Sequence, residues 1–446
     1  MPTFTIIHPT VRGKQPIESK ALLKHMIAPL GRSAADVRDK LVEAQREGIT
    51  PAIEIRQRIF DLCGSSMDLP AFQTTFTRLA PSVEDFSDEM WAWSKTYPRT
   101  PAFCSDFMLR FEVSPAQYPK SIEFISPDFG INNVTTGAVP SGNMSFAPNF
   151  ILSNFFGLEG IRITSVPANP ITQGAGMGTS NALIIASLSA GSILSGVNLS
   201  KAQIWSLATH MENQIFGGLT GGQEGIAGIM GGCREYVWLV AHGQYGAISR
   251  ELISPQRYAK VKEHIVLVQP RKNFGKKRSA ADVNQIWTNA LKTQKGYSAH
   301  RKKVENSWRY AEAIRTGDWE EATRAVQFQA DIRVRLCSLY IEDVMPFWKK
   351  VVVRDGGNIR RAAFRLGAGG PGALFAVISP DSALIEEVKS WYPVITADEA
   401  REMKEKSKIL KGILPYELSN QVIKFLGFTE AGFEESIPED PLRIEL

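Results

Sequence analysis

Residues 170–194, PITQGAGMGTSNALIIASLSAGSIL, pass from a glycine-rich loop directly into an apolar segment. The segment is apolar on nearly every face of a helix, which predicts a buried helix. Its candidate N-cap residues are Thr179, Ser180 and Asn181. Three alternating glycines precede it: Gly174, Gly176 and Gly178. Backbone N–H groups of such a loop can converge on a phosphate, although a tightly packed strand-to-helix turn would use the same glycines.

A second glycine run, FGGLTGGQEGIAGIMGG over residues 216–232, carries one acid, Glu224. Another acid, Glu212, lies upstream at the end of a helix predicted over residues 200–215 and borders its apolar face. Glu212 is either a solvated glutamate at a helix end or, beside a phosphate loop, a ligand for Mg²⁺.

A third glycine run, LGAGGPGALFAVIS over residues 366–379, fits the GxGxxG pattern. Dinucleotide binding requires a helix after that pattern, whereas ALFAVIS predicts a strand. We therefore exclude a Rossmann site and expect a hairpin-like loop close to a ligand or to the first glycine loop.

The remaining periodicities predict a mixed α and β chain. Strands are expected at Phe107–Val113, Ser121–Ile125, Leu158–Val166, 234–241, His264–Gln269 and Pro393–Thr396. Helices are expected as two short segments within 33–62, and within 282–350, 382–392 and 398–411. The segment 132–149 is expected to be a polar connection, and the last 35 residues an appended helix with an acidic tail.

Composition narrows the class of protein. The 446 residues carry a net charge of +5, and 43% are hydrophobic, which predicts a soluble globular chain with a sizeable core. The four cysteines are scattered singly and are expected to be reduced thiols. A secretory leader and a membrane-spanning run are not recognised, so a cytoplasmic protein is expected.

One basic cluster follows the strand at 264–269 and contains Arg271, Lys272, Lys276, Lys277 and Arg278. It is either a solvated loop or a site for an anionic acceptor such as a sugar phosphate.

Together these motifs resemble the GHMP small-molecule kinases, and within them the branch of L-fucokinase and D-glycero-D-manno-heptose 7-phosphate kinase. PITQGAGMGTSNAL stands where that family has its phosphate loop, and ENQIFGGLTGGQEGIAGIMGG where it has an acid followed by glycines. GAGGPG is similar to its C-terminal glycine loop, and KNFGKKRSAADVNQIW to a segment of the fucokinases. The matches span roughly residues 150–396.

The resemblance implies an α+β fold with a ribosomal-S5-like N-terminal lobe and a ferredoxin-like C-terminal lobe. The expected divisions are an N-terminal helical extension (1–95), a nucleotide-binding domain (96–250), a C-terminal domain (251–411) and a C-terminal appendage (412–446). The implied activity is transfer of the γ-phosphoryl group of ATP, with Mg²⁺, to a hydroxyl of a sugar or sugar phosphate. The expected partner is this small molecule, with no nucleic acid and no membrane, and a homodimer is left open.

The resemblance also implies residue roles. The nucleotide phosphates would be bound by Gly174, Ala175, Gly176, Met177, Gly178, Thr179, Ser180 and Asn181. Ser180 and Glu212 would hold Mg²⁺, and Glu224 would polarise or deprotonate the acceptor hydroxyl. The acceptor would be bound by Gly222, Gln223, Glu224, Gly369, Gly370, Arg271, Lys272, Lys276 and Lys277.

The chain also departs from the family pattern. Glu224 stands in place of an aspartate, and Asn181 in place of a small hydroxyl residue. The family's R-x-x-x-x-G-G-x-x-D segment, which binds the sugar, has no match, and its substitute is expected within Tyr97–Arg110. Two alternatives therefore stay open: a GHMP-like enzyme with another reaction, such as ATP-assisted decarboxylation, and a catalytically silent protein that binds a nucleotide or metabolite.

Overall fold

Two β-sheets, each with helices packed on it, form the described part of the chain. The computed structural model describes residues 2–7, 99–127, 130–137, 139, 142–167, 178–195, 199, 201–216, 223–241, 244–270, 286, 289–290, 293–337, 340–366, 374–395 and 412–414. The two short helices expected within 33–62 and the charged helix expected at 398–411 lie outside these residues.

The first sheet has seven strands in the order β4-β3-β5-β2-β6-β7, with β1 paired to β2. Their bounds are β1 Pro2–Ile7, β2 Arg99–Pro115, β3 Ser121–Ser126, β4 Ile131–Thr136, β5 Ile161–Pro167, β6 Cys233–Ala241 and β7 Gln244–Ile253. The pair β3 and β5 is parallel, and the other pairs are antiparallel. The long strand β2 is central, because it pairs with β5 through its second half and with β6 through its first.

The helices of the first lobe are α1 Ala147–Phe150, α2 Thr179–Ser195, α3 Lys201–His210 and α4 Gln223–Met230. Two of them continue as π-helical turns, α1 over Ile151–Phe155 and α3 over Met211–Ile215. A 3-10 turn at Met144–Phe146 precedes α1. Helices α2, α3 and α4 contact one another, and α2 and α4 contact β2.

The buried helix predicted from the first glycine loop is confirmed as α2. Its residues 181–190 are all buried, although two serines lie among them. The hydroxyls of Ser187 and Ser189 donate to the carbonyl oxygens of Leu183 and Ile185, one helical turn earlier, at 2.7 and 2.8 Å. These bonds satisfy the hydroxyls inside the helix, so both serines are accommodated in the core.

The second sheet has the order β12-β8-β11-β10-β9, and all its pairs are antiparallel. Its strands are β8 Ile265–Gln269, β9 Val353–Asp355, β10 Asn358–Arg365, β11 Phe375–Ile378 and β12 Gly412–Leu414. Its helices are α5 Tyr258–His264, α6 Gln294–Thr316, α7 Trp319–Leu336, α8 Met345–Val351 and α9 Ser382–Ser390, with 3-10 turns at Pro255–Arg257 and Glu342–Val344. The order of these elements matches the β-α-β-β-α-β succession of ferredoxin-like domains. The succession is formed by β8, the helices α6 to α8, β10, β11, α9 and β12. The predicted α+β fold with two lobes is therefore confirmed.

Three sequence-based expectations differ from the structure. The segment 132–149 is more than a connection, because β4 and α1 occupy part of it. A strand was expected at Pro393–Thr396, but the described residues 393–395 contain an isolated bridge at Val394 and no strand. Residues 412–414 form the edge strand β12 and not the start of an appended helix. Strand β12 pairs with β8, which is far away in sequence, so local periodicity does not reveal it. Strand β4 pairs with the preceding strand β3, but its polar sequence INNVTT lacks the apolar alternation of a strand.

The two lobes share a buried contact between the first sheet and α6. Phe103 of β2 and Leu252 of β7 belong to the same apolar cluster as Tyr310 and Ile314 of α6. Cys104, Cys233 and Cys337 are buried free thiols, as expected, and Cys63 lies outside the described residues. No helix among the residues that the structure describes is long and apolar enough to cross a membrane.

Candidate active site

The first glycine loop ends where α2 begins. Gly178 has a φ of +76°, a left-handed conformation that favours glycine, and its carbonyl oxygen accepts the N–H of Ala182 at 3.0 Å. The first N–H groups of a helix have no partner within the helix, and they lie at the positive end of its dipole. The start of α2 can therefore bind an anion. Gly174, Ala175, Gly176 and Met177 lie outside the described residues.

Two side chains from the first turn of α2 bind one carboxylate from the end of α3. The Ser180 hydroxyl donates to Glu212 Oε1 at 2.8 Å, and the Asn181 amide nitrogen donates to Glu212 Oε2 at 2.7 Å. Glu212 is 7% exposed and Asn181 1%, whereas Ser180 is exposed. The interpretation of Glu212 as a solvated glutamate is therefore wrong, because its carboxylate is buried against α2.

The dipoles of the two helices explain why the carboxylate turns towards α2. Glu212 lies in the π-helical turn after α3, where the negative end of that helix disfavours a carboxylate. The start of α2 offers the opposite end of a dipole and two side-chain donors. π-helical turns are rare in proteins overall, but those that occur are often found at functional sites. The position of Glu212 in such a turn agrees with a functional role.

Helix α4 closes a second side of this cluster. A Cβ built on Gly225 would lie 2.6 Å from Asn181 Oδ1 and 3.0 Å from Trp205 Cδ1, so the helix can approach this closely only with glycine there. Glu224 is the second residue of α4 and directly precedes Gly225, while its side chain lies outside the description. Gln223, the first residue, is buried, and its Nε2 has no hydrogen-bond partner among the described residues.

The third glycine loop joins β10 to β11, which pair in an antiparallel hairpin, as predicted. The N–H of Leu366 donates to the carbonyl oxygen of Leu374 at 2.7 Å and closes the base of this loop. The strand after the loop agrees with the exclusion of a Rossmann site. Gly369 and Gly370 lie outside the described residues, as do Gly222 and the basic residues Arg271, Lys272, Lys276 and Lys277.

One anchor of this third loop was not predicted from the sequence. The Tyr340 hydroxyl accepts the N–H of Arg365 at 2.7 Å and donates to its carbonyl oxygen at 3.0 Å. The guanidinium of Arg365 binds both carboxylate oxygens of Asp343 at 2.8 and 3.0 Å. All three residues are ordinary types in unremarkable local sequence, so no motif marks them. Together they fix the strand residue from which the loop departs.

Arg354, Arg360 and Arg361 each form an ion pair. They bind Asp331, Asp381 and Glu387 at 3.1, 3.6 and 2.6 Å, all within the second lobe. The Arg361 guanidinium also lies over the Trp391 ring at 4.7 Å. These arginines therefore form ion pairs that stabilise the second lobe.

The segment expected to replace the family's sugar-binding motif begins with a buried ion pair. Arg99 on β2 binds Glu235 on β6, and both side chains are fully buried. Glu235 also accepts Arg250 Nε at 2.7 Å, and Arg250 binds Glu312 on α6 of the second lobe. Burial lowers the pKa of the Arg99 guanidinium, although the charge of Glu235 opposes this effect. Arg99 therefore serves the contact between the lobes. The side chains of residues 105–110 lie outside the description.

The described residues of the site offer few side chains that could bind a metal ion. Among the residues that the structure describes, no group of three or more His, Cys, Asp or Glu could hold a metal ion. Mg²⁺ in phosphoryl-transfer sites is typically bound by only one or two carboxylates, with substrate phosphates and water completing the shell. One carboxylate, Glu212, and one adjacent hydroxyl, Ser180, fit that mode of binding.

Comparison with known proteins identifies the first lobe. Residues 149–232, which contain α2, α3, α4 and the Ser180–Glu212 pair, match the family model of the GHMP kinases N terminal domain. The match assigns this segment to the N-terminal domain of the GHMP kinases. Within residues 149–232, the resemblance to the GHMP kinases that the sequence motifs indicated is confirmed.

Solved structures with a similar chain course include several kinases. A D-glycero-D-manno-heptose 1-phosphate kinase from Bacteriodes thetaiotaomicron is 13% identical, with a TM-score of 0.49, over 72% of this chain and 88% of that one. The mevalonate kinase of Methanococcus jannaschii is 12% identical, with a TM-score of 0.48, over 74% and 93%. The phosphomevalonate kinase of Streptococcus pneumoniae is 11% identical, with a TM-score of 0.48, over 74% and 95%. A search of the curated proteins finds no match.

Proposed function

We propose that this protein is a small-molecule kinase that transfers the γ-phosphoryl group of ATP, in the presence of Mg²⁺, to a hydroxyl of a sugar or sugar phosphate. The observation that carries the proposal is the contact of Ser180 with Glu212 at 2.8 Å, at the start of α2 and directly after the left-handed Gly178. It joins an exposed hydroxyl and a carboxylate to a helix end that attracts phosphate.

Ser180 and Glu212 would hold the Mg²⁺ ion. Their two oxygen atoms are the hard ligands that Mg²⁺ prefers, and they already lie side by side. When bound, the ion neutralises charge that develops on the phosphates during transfer. The exposure of Ser180 leaves the remaining coordination positions open to phosphate oxygens and water.

The chain's own groups supply orientation and charge. The N–H groups at the start of α2 donate to phosphate oxygens and fix the nucleotide. Glu224, at the start of α4, binds the acceptor hydroxyl and takes its proton as the new O–P bond forms. The bond between the γ-phosphorus and the bridging oxygen breaks, which leaves ADP and a phosphate ester. Most of the rate enhancement in such a reaction comes from positioning and electrostatic stabilisation.

Gln223 and the basic loop after β8 support the acceptor class. Gln223 offers a buried amide donor without a partner among the described residues, next to Glu224. The basic loop that follows β8, with Arg271, Lys272, Lys276 and Lys277, would bind an anionic group of the acceptor. An acceptor that carries both hydroxyls and a phosphate uses both features, which favours a sugar phosphate.

The test measures ADP release from Mg-ATP across a panel of sugars and phosphorylated sugars. Ser180→Ala and Glu224→Gln are each expected to lower turnover by about 10²-fold or more while the protein stays folded, because each removes a group that acts on the reacting phosphate or hydroxyl. Ser195→Ala at the opposite end of α2 and Glu386→Gln on the surface of α9 are matched controls and should keep wild-type turnover.

The alternatives predict other outcomes of the same experiment. Release of CO₂ with ADP would favour ATP-assisted decarboxylation, and ATP binding without turnover on any acceptor would favour a silent binding protein. Wild-type turnover in both Ser180→Ala and Glu224→Gln would overturn the assignment of the site.

A further inference from the structure

Asn181 contacts both acid-bearing elements of the candidate site. Its Nδ2 donates to Glu212 Oε2 at 2.7 Å. On its other side, Oδ1 faces the backbone of Gly225, where an added Cβ would lie only 2.6 Å away. The side chain is 1% exposed, so both contacts are buried.

The amide has the two ends that this position requires. The nitrogen end holds one carboxylate oxygen of Glu212 and leaves the other, Oε1, against the Ser180 hydroxyl. The oxygen end limits how closely α4 approaches α2. A serine has a single hydroxyl on a shorter side chain and cannot reach both neighbours.

The cost of this arrangement indicates a role beyond packing. Asn181 Oδ1 is buried and accepts no hydrogen bond from the described residues. A buried acceptor without a partner lowers stability, and such groups in native structures call for a separate explanation. An alanine here would avoid that cost but would lose the donor to Glu212.

We propose that Asn181 is a positioning residue that orients the Glu212 carboxylate for the metal–nucleotide complex and sets the spacing of α4, which carries Glu224, from that carboxylate. The proposal rests on the proposed kinase function. Hydrogen-bond partners of metal ligands fix ligand orientation, and their loss typically weakens metal binding or activity by about 10- to 100-fold.

The test is calorimetric titration of a non-hydrolysable ATP analogue into the full chain over a range of Mg²⁺ concentrations, so it does not depend on turnover. Asn181→Ala is expected to raise the Mg²⁺ concentration for half-maximal binding by about 10- to 100-fold. Gly225→Ala should shift it in the same direction, because its methyl group displaces the Asn181 oxygen.

Asn154→Ala is the matched control. Asn154 is a buried asparagine whose amide bonds only position the backbone of Val139, at 3.1 and 3.0 Å. This variant should lose stability and keep the Mg²⁺ dependence of the wild type. If Asn181→Ala does not fold, Asn181→Ser and Gly225→Ala supply the same measurement.

The outcomes separate the two proposals. Absence of Mg²⁺-dependent nucleotide binding in the wild type would overturn the proposed function. The positioning role alone would be overturned by a different result. In that case the wild type binds the nucleotide, Glu212→Ala loses this binding, and all variants at Asn181 and Gly225 keep it unchanged.

Discussion

Replacement of Gly191 by alanine tests how tightly α2 is packed in the first lobe. A Cβ at this position would lie 2.1, 2.3 and 2.9 Å from three ring atoms of Phe156, whereas ordinary contact begins at 3.4 Å. The ring would have to retreat by about 1.3 Å. It is 4% exposed and packs edge-on against Phe155, with ring centroids 4.8 Å apart, so it has little room to move.

Two opposing terms set the size of the effect. Alanine is favoured over glycine inside a helix by about 1 kcal/mol. Overpacking of a tight core costs about 1–3 kcal/mol, and occasionally more. Because three ring atoms are affected together, we take the upper part of that range. Gly191→Ala is therefore expected to lower the free energy of unfolding by about 2 kcal/mol.

The assay is denaturant unfolding followed by tryptophan fluorescence and far-ultraviolet circular dichroism. The double variant Gly191→Ala with Phe156→Leu is the control, because the smaller side chain makes room for the methyl group. It should be more stable than the sum of the single changes predicts, by about 1 kcal/mol. This prediction would be refuted if Gly191→Ala were as stable as the wild type or more stable. Helix propensity would then outweigh the contact with Phe156, and α2 would not be tightly packed at this position.

Three further predictions concern the buried polar contacts. Glu235→Gln replaces the carboxylate that binds Arg99 and Arg250 and should destabilise the protein by about 3 kcal/mol in denaturant unfolding. Burial raises the pKa of Glu312, but bonds and charges from neighbouring arginines outweigh burial, and its pKa lies below the ordinary value. The contribution of Glu312 to stability is therefore complete above its unfolded pKa of about 4.3, and it is lost as the pH falls through the lower pKa of the folded protein. Glu312→Gln should accordingly reduce the loss of stability that acid causes in a plot of the free energy of unfolding against pH. Tyr340→Phe removes the hydroxyl at the base of the third glycine loop and should cost about 1–3 kcal/mol, with faster hydrogen exchange of the amide that it binds.

Elements with a strong local pattern were predicted well from the sequence. The helix α2 follows a glycine loop and is apolar on nearly every face, and the structure buries its residues 181–192. The hairpin β10–β11 was predicted because a strand pattern, and not a helix pattern, follows the third glycine run. Both patterns are contained in a short window of sequence, which is where periodicity carries information.

Edge strands were predicted poorly. Strand β4 has the sequence INNVTT and alternates between half-buried and exposed residues. Among the described strands, β4 pairs with β3 alone and the three-residue strand β12 with β8 alone. Such strands form because a neighbouring strand offers unpaired N–H and C=O groups, so short polar segments join the sheet without an apolar pattern of their own.

The helices and strands with a strong local pattern, the positions of the glycine runs and the residue types beside them were determined by the sequence alone, because each is a local property. Only the tertiary structure decided what those residues contact. Glu212 is 32 residues from the serine and 31 from the asparagine that bind it, and Arg99 is 136 residues from Glu235. Contacts over such separations depend on how helices and strands pack, and small changes in packing decide whether a carboxylate faces water or a neighbouring helix. The carboxylate and its neighbours could thus be named from the sequence, while the burial of Glu212 and the role of Asn181 follow from the packing of α2 against α3 and α4.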